Sequence, residues 1–214
     1  MNTLSLSIVG FISGFLIKKI VNWLSINNYA LNLKNPVLEI LNSLAWGWAF
    51  NNLNYYDSLV FVMIFGALSG LSIVDMYTFQ IPTIFIVFGI FILFTATYFE
   101  IIPFMNALWG VFVGALIPLF IMGSLWLVTK RQGMGFGDIQ LGFLLGAWLG
   151  PMKMAITLFI ASSLSLLAWI ITSIFKGFNK DRAMPMAPFL SVSGVAIFIG
   201  SFYYPDLFQL LVLE

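Results

Sequence analysis

The stretch SLVFVMIFGALSGLSIVD, residues 58–75, decides the fold class, because an unbroken uncharged run precedes its single charge, Asp75. A helix needs about 20 mainly apolar residues to cross the hydrocarbon core of a bilayer. Comparable apolar runs lie on both sides of this stretch, separated by short polar or proline-containing segments. The sequence therefore predicts a chain that crosses a membrane several times.

The composition of the whole chain agrees with this prediction. The 214 residues are 61% hydrophobic and 8% charged, with a mean hydropathy of +1.04. Soluble domains carry about 25% charged residues, so this chain has too little charge to cover a surface that faces water. Soluble enzymes, disordered proteins and fibrous proteins are excluded. The net charge of +1 gives no sign of a nucleic-acid partner, and none is expected.

Two missing residue types narrow the chemistry, since the chain contains neither Cys nor His. Disulfides, thiolate nucleophiles and cysteine-built metal sites are excluded, and so is every catalytic triad that uses an imidazole base. Acid–base chemistry must therefore come from Asp, Glu, Lys, Arg or Tyr. We expect neither a metal site nor a cofactor for hydrolysis.

Charges, turn residues and prolines divide the chain into an all-α, polytopic transmembrane bundle of about eight helices. The helices are predicted over residues 4–24, 37–50, 58–74, 82–98, 103–128, 139–149, 154–175 and 188–204, with a short tail at 207–213. Pro118 predicts a tilt or kink within the fifth helix. No internal repeat or soluble domain is visible, so residues 1–214 are predicted to form one membrane domain.

The distribution of Lys and Arg predicts the orientation. If the loop after the first helix faces the cytoplasm, eight basic residues lie on the cytoplasmic side and one, Lys153, lies outside. The eight are Lys18, Lys19, Lys34, Lys130, Arg131, Lys176, Lys180 and Arg182. Because cytoplasmic loops are enriched in basic residues, the N-terminus is predicted to lie outside the cell.

Two carboxylates stand out at the predicted cytoplasmic ends of different helices, where ionisable groups at membrane depth are often functional. Asp75 closes the uncharged third helix, and Asp138 follows Gly133, Gly135 and Gly137 in GMGFGDIQLG. Glycine allows a close approach of backbone or ligand, which favours non-helical backbone lining a cavity. The alternative interpretation is an interfacial, solvated Asp75 and an ordinary helix N-cap at Asp138.

A carboxylate pair is a hydrolytic arrangement that needs no His, Cys or metal. One carboxylate activates water, while the other, protonated, polarises the scissile carbonyl. The start of a helix favours a carboxylate and its end favours the acid form. We therefore predict Asp138 as the resting base and Asp75 as the resting acid, with one proton shared between them.

Several segments resemble a known family in the expected order along nearly the whole chain. GMGFGD (residues 133–138) is similar to the GxGD motif of membrane aspartic proteases, and SIVDMYTFQIPT (72–83) resembles the first-aspartate segment of type IV prepilin peptidases. The opening helices and AMPMAPFLSVSG (183–194) resemble the same family. The resemblance divides the predicted domain into a shortened N-terminal region, residues 1–55, and an aspartic protease core, residues 56–214.

The resemblance implies an endopeptidase that removes the leader of prepilins or of pilin-like secretion and competence proteins. Cleavage would occur at the cytoplasmic face of the cytoplasmic (inner) membrane. Asp75 and Asp138 would be catalytic, with the three glycines and Pro82 in the active-site loops. Expected partners are prepilin-like substrates and the lipid bilayer. Alternatives are a related protease acting on archaeal preflagellins, a proton- or cation-coupled transporter that uses both aspartates as ligands, and a catalytically silent assembly protein.

The sequence departs from the family in the loop after the first helix. Many relatives carry a longer loop there with two CxxC pairs, whereas residues 25–35 form a short loop without Cys. N-methylation of the cleaved product is associated with that region, so it is doubtful here, and S-adenosylmethionine is expected only if that activity is retained.

Two residues after Asp138, this chain has Gln140 at a position where the family often has Lys. Glu39 is read as a first-turn helix residue, or alternatively as a contact for a basic leader.

Overall fold

The computed structural model describes residues 3–26, 29–32, 34–130, 135–179 and 183–210, and within these ranges every regular element is a helix. The elements are α1 (Thr3–Leu24), α2 (Val37–Asn52), α3 (Tyr55–Thr78), α4 (Thr83–Tyr98), α5 (Phe104–Val111), a π-helical segment (Phe112–Leu116), α6 (Ile117–Thr129), α7 (Phe136–Leu149), α8 (Pro151–Lys176), α9 (Ala187–Tyr203) and α10 (Pro205–Leu210). Because α5, the π segment and α6 are continuous, they correspond to one predicted helix. The prediction of an all-α chain with about eight helices is confirmed.

Among the described residues, four helices are long and apolar enough to cross a membrane. They are Ser5–Leu24, Tyr55–Thr78, Phe104–Val128 and Pro151–Lys176. Three shorter apolar helices accompany them, namely Thr83–Tyr98, Phe136–Leu149 and Ala187–Tyr203. The chain therefore has the character of a multi-pass membrane protein. The orientation stays a prediction, and three of the basic residues behind it (Arg131, Lys180 and Arg182) lie outside the described residues.

The chain divides into two compact units, Met1–Ile101 and Ile102–Glu214. The first contains α1 to α4, and the second contains α5 to α10. These units are defined by packing, whereas the predicted boundary near residue 55 came from a family resemblance. The single membrane domain with its two predicted regions stays a prediction.

In the first unit, α1 packs closely against α2 through two glycines. A β-carbon at Gly10 would lie 2.7 Å from the carbonyl oxygen of Asn42, and one at Gly14 would lie 2.6 Å from the Cα of Glu39. Atoms this close would clash, so only glycine lets the two backbones meet here. Small residues at helix contacts are typical of membrane proteins, since they allow the backbones to approach. The side chains of α3 then pack beside α2, and twelve of the residues of α3 are buried.

In the second unit, two glycine pairs face each other across the contact between the α5–π region and α7. A β-carbon at Gly110 would lie 2.0 Å from the carbonyl oxygen of Gly146, and one at Gly142 would lie 2.0 Å from that of Gly114. On each helix the two glycines have the spacing GxxxG: Gly110 and Gly114 in the α5–π region, and Gly142 and Gly146 on α7. A β-carbon added on either helix would collide with the backbone of the other. The α7 helix is therefore positioned by direct contact between two backbones.

The π segment directly precedes Pro118, where the sequence predicted a tilt or kink. Proline lacks the N–H that would donate to the carbonyl of Gly114 four residues earlier, so the regular hydrogen-bond ladder is interrupted at this position. π-helical turns are rare and occur mostly as single-turn bulges inside α-helices, and both proline and such bulges can kink a helix. The irregularity therefore lies on the N-terminal side of the proline, at Phe112–Leu116.

Candidate functional site

Asp75 lies in the last turn of α3 and is only 5% exposed. The sequence predicted a helix ending at Val74, but α3 continues for three further residues beyond Asp75. The helix ends where Phe79 adopts a left-handed conformation (φ 55°) and its N–H donates to the carbonyl oxygen of Asp75 at 2.9 Å. A left-handed cap of this kind, and not the charge of Asp75, terminates the helix.

Pro82 lies seven residues beyond Asp75 and directly precedes α4. It is buried, with φ −65° and ψ 113°, and its carbonyl oxygen accepts a hydrogen bond from the N–H of Phe85 at 3.2 Å. Proline fixes φ near this value and suits the residue that leads into a helix. Pro82 thus fixes the direction in which the chain leaves the Asp75 turn and enters α4.

Asp138 is the third residue of α7 and is half-buried. Its Oδ2 accepts a hydrogen bond from the N–H of Gly135 at 3.2 Å, and its own N–H donates to the carbonyl oxygen of Gly135 at 3.1 Å. The sequence placed the helix start at Ile139, three residues later than observed. The carboxylate therefore caps the first turn from inside the helix, where the helix dipole favours negative charge.

The glycine-rich segment before Asp138 is partly described. Gly135 is extended (φ −73°, ψ 144°), whereas Gly137 lies inside α7 and is helical; Gly133 lies outside the described residues. A β-carbon at Gly135 would approach Oδ2 of Asp138 to 3.1 Å. The absence of a side chain at Gly135 is therefore explained by its closeness to this carboxylate and not by a left-handed backbone.

The two predicted aspartates belong to different units, Asp75 to the first and Asp138 to the second. Each is at a helix terminus, as predicted, but their pairing stays a prediction. Within the described residues, no group of three or more Asp or Glu side chains could hold a metal ion.

Sequence reasoning missed a buried ion pair in the first unit. The Nζ of Lys18 lies 2.5 Å from Oε1 of Glu39, and the two side chains are 2% and 4% exposed. Glu39 had been read as a first-turn residue or as a contact for a basic leader. Its burial against Lys18 leaves no surface for a leader to contact in this conformation. A Lys and a Glu inside two apolar helices were the only signal in the sequence.

Sequence reasoning also missed how α9 lies beside α7. A β-carbon at Gly194 would contact Leu145, and the rings of Trp148 and Phe198 stack at 4.7 Å. The two contacts advance together along both helices, so the helices run parallel. Seven residues, or about two turns, toward the start of each helix, this register brings Ala187, the first residue of α9, to the level of Asp138.

Comparison with known proteins identifies the family. A model of the type IV leader peptidase family matches residues 59–171, which is more than half of the chain and contains both aspartates. The chain belongs to the type IV leader peptidase family. No solved structure matches it.

Individual relatives of the family carry the name prepilin leader peptidase/N-methyltransferase. The chain is 28% identical to the one from Pseudomonas putida over 186 residues, which cover 85% of this chain and 64% of that protein. It is 23% identical to the one from Pseudomonas aeruginosa over 171 residues, covering 77% and 58%, respectively. It is 38% identical to the one from Legionella pneumophila over 89 residues, covering 41% and 31%. The chain thus spans less than two thirds of the length of these relatives.

Proposed function

We propose that this chain is an aspartic endopeptidase that removes the leader peptide of type IV prepilin-like proteins at the cytoplasmic face of the cytoplasmic membrane. One observation carries the proposal: the family match includes Asp75, Asp138 and the segments around both. The names of the relatives favour prepilin-like substrates over other substrates of GxGD proteases. The apolar helices provide the membrane setting for such a substrate.

The proposed mechanism uses the two carboxyl groups as an acid–base pair. Asp138, as carboxylate, takes a proton from water, and the resulting hydroxide adds to the carbonyl carbon of the scissile peptide bond. Asp75, as the acid, donates its proton to the carbonyl oxygen, which gives a neutral tetrahedral intermediate. Asp138 then passes its proton to the leaving nitrogen, and Asp75 recovers a proton from the hydroxyl as the carbonyl reforms. The C–N bond breaks and the pair returns to its starting state.

The local surroundings of each carboxylate support these roles. Asp138 receives an N–H from Gly135 and lies at the positive end of the α7 dipole, both of which suit a resting base. Asp75 is buried near the negative end of the α3 dipole, which suits a resting acid. The extended backbone at Gly135 offers a place where an extended substrate strand could lie close to Asp138.

Proteolysis by this mechanism requires no cofactor. Methyl transfer to the new N-terminus would require S-adenosylmethionine. This activity is the one named by N-methyltransferase, the second half of the relatives' name. This chain has a short, cysteine-free segment between α1 and α2, so we propose leader cleavage as its activity and regard methylation as a separate question. Mass spectrometry of the processed N-terminus, which detects the mass of one methyl group, answers it.

The test is co-expression with a candidate prepilin, followed by measurement of the substrate mass. Wild type is expected to shorten the prepilin by its leader, while Asp75→Asn and Asp138→Asn leave it intact. Asp57→Asn is the matched control, because Asp57 lies on α3 at the end opposite Asp75. Full cleavage by either aspartate variant would contradict the two-carboxylate mechanism. Ion-dependent uptake without cleavage would support a transporter instead.

A further inference from the structure

Lys18, a buried residue of α1, contacts both α2 and the segment that joins α1 to α2. The ammonium of Lys18, on α1, donates to Oε1 of Glu39 on α2 at 2.5 Å and to the carbonyl oxygen of Asn35 at 2.6 Å. Asn35 stands just before α2, at the end of the segment that joins α1 to α2. Lys18 therefore fixes α1 to α2 and also anchors the joining segment at its end.

Stability alone does not account for this ion pair. Desolvation of two charges offsets much of their attraction, and well-packed apolar side chains of similar volume hold helices at least as well. The second oxygen of Glu39, Oε2, is buried and has no hydrogen-bond partner among the described residues, which adds a further penalty. Because burying the Lys18–Glu39 pair costs free energy, its location in the unit is what indicates its role.

The ion pair lies at the end of the unit that carries Asp75. A β-carbon at Gly70 would lie 3.0 Å from Cγ2 of Ile17, so the residue next to Lys18 packs against the Gly70 turn of α3. Asp75 follows Gly70 by five residues, or about 7.5 Å along the helix axis at a rise of about 1.5 Å per residue. Ile17, the neighbour of Lys18, therefore packs about one and a half turns before Asp75 along α3.

The joining segment is also anchored at Leu31. The N–H of Leu31 donates to Oδ1 of Asn22 at 2.6 Å, and Nδ2 of Asn22 donates to the carbonyl oxygen of Leu31 at 3.2 Å. A single side chain near the end of α1 thus binds both backbone groups of Leu31. Because Asn35 is held as well, the segment is attached to α1 at two points.

Two residues before Leu31, the segment contacts the last turn of α3. The ring of Tyr29 stacks on that of Tyr77, with centroids 4.7 Å apart and planes 18° apart. Tyr77 follows Asp75 by two residues, and residues so spaced on a helix point in nearly opposite directions. Tyr29 therefore supports the turn from the side away from the carboxyl group of Asp75.

We propose that the described residues of the segment joining α1 to α2, 29–32 and 34–36, act as a brace that holds the Asp75 turn of α3 in place. Tyr29 and the Lys18–Glu39 pair are its positioning residues: the pair anchors the segment, and Tyr29 holds the last turn of α3 in place. This inference rests on the proposed function, because it assigns the brace to the turn of a catalytic aspartate.

The first test replaces the stacking ring. Tyr29→Ala is expected to lower kcat for prepilin cleavage about tenfold or more while KM stays within about twofold, since a small displacement of a catalytic group slows the chemical step. Tyr29→Phe keeps the ring and should retain wild-type kcat. Tyr98→Ala, which removes an exposed tyrosine at the far end of α4, is the control and should have no effect. Wild-type kcat in Tyr29→Ala, or an equal loss in Tyr29→Phe, overturns the proposal.

The second test separates anchoring from folding. The double variant Lys18→Met/Glu39→Met replaces the ion pair with apolar side chains and is expected to unfold at the wild-type temperature or higher. The brace predicts that this stable protein nevertheless loses kcat to a similar extent as Tyr29→Ala. A stable double variant that cleaves at the wild-type rate overturns the role of the pair.

A third measurement remains informative if the proposed function fails. The chain has no Cys, so Phe79→Cys creates a single thiol at the exposed residue that caps α3. Tyr29→Ala is expected to increase its rate of maleimide labelling severalfold, because the α3 end is released. An unchanged rate overturns the brace. Failure of wild type to cleave any prepilin, by contrast, counts against the proposed function alone.

Discussion

The helices that carry the two aspartates are held by different kinds of contact. α3, with Asp75, is bound through polar side chains: Nδ2 of Asn42 reaches Oγ of Ser69 at 3.3 Å, and Oγ of Ser58 donates to the carbonyl oxygen of Ala49 at 3.0 Å. α7, with Asp138, is held by glycine backbone against glycine backbone. α3 is thus positioned in part by directional hydrogen bonds from polar side chains, and α7 in part by close contact between glycine backbones.

This difference predicts different sensitivities. Polar contacts depend on partners, so removing one partner is damaging while removing both can be harmless. Glycine contacts depend on volume, so any added side chain is damaging, whatever its chemistry. The following changes test this contrast, beginning with the largest expected effect.

Lys18→Met alone should lower the free energy of unfolding by about 3–5 kcal/mol, because Glu39 is left as a buried, unpaired charge. Denaturant-induced unfolding in detergent micelles measures the change. Lys34→Met is the control, since Lys34 is exposed in the joining segment, and should stay within about 0.5 kcal/mol of wild type. If the single variant is as stable as Lys18→Met/Glu39→Met, the rule that a buried polar group depends on its partner fails for the ion pair between α1 and α2.

Gly142→Leu should destabilise the protein by about 3 kcal/mol, because its side chain would collide with the backbone of Gly114. Gly123→Leu is the matched control on α6, where a β-carbon would meet nothing within 4 Å. Thermal unfolding of both variants under the same conditions gives the difference. Equal melting temperatures would show that α7 does not depend on close backbone contact.

Gly135→Ala should reduce cleavage about tenfold and leave stability nearly unchanged. Its β-carbon would crowd Oδ2 of Asp138 at 3.1 Å and move the carboxylate by a few tenths of an ångström. Steady-state cleavage of a prepilin peptide, compared with Gly123→Ala, measures the loss. Unchanged kcat would mean that the position of this oxygen does not limit the reaction.

The mildest change tests the orientation without disturbing either helix. Because the chain has no native Cys, Lys34→Cys and Phe99→Cys each provide one thiol in a connection between helices. The predicted topology places residue 99 outside and residue 34 in the cytoplasm. An impermeant maleimide should therefore label Phe99→Cys in intact cells and Lys34→Cys only after permeabilisation. The reverse pattern would invert the predicted topology.

The sequence was sufficient to predict most helices, because uncharged runs and prolines mark where a membrane helix begins and ends. It was less informative about the ends near the aspartates. The prediction stopped the third helix at the charge of Asp75, whereas the left-handed Phe79 ends it. It likewise began the helix after Asp138, although Gly135 caps it. At both positions, the charged residue did not mark the end of the helix.

Contacts between residues far apart in the chain could not be predicted from the sequence. The spacing of Gly110 with Gly114 and of Gly142 with Gly146 was a visible GxxxG signal, but spacing does not say which helix packs against which. Lys18 and Glu39 are separated by 21 positions, and only folding brings them together. Apolar patterns specify that a helix is buried, while its partner depends on tertiary packing.

The π segment at Phe112–Leu116 has a consequence for comparing this chain with its relatives. A π turn spans one residue more than an α turn, and one residue corresponds to about 100° of rotation around the helix axis. The apolar faces before and after the segment are therefore out of phase with any relative whose helix is regular. An aligned gap of one residue within this helix would then record a change in helical phase, and not the loss of a loop residue.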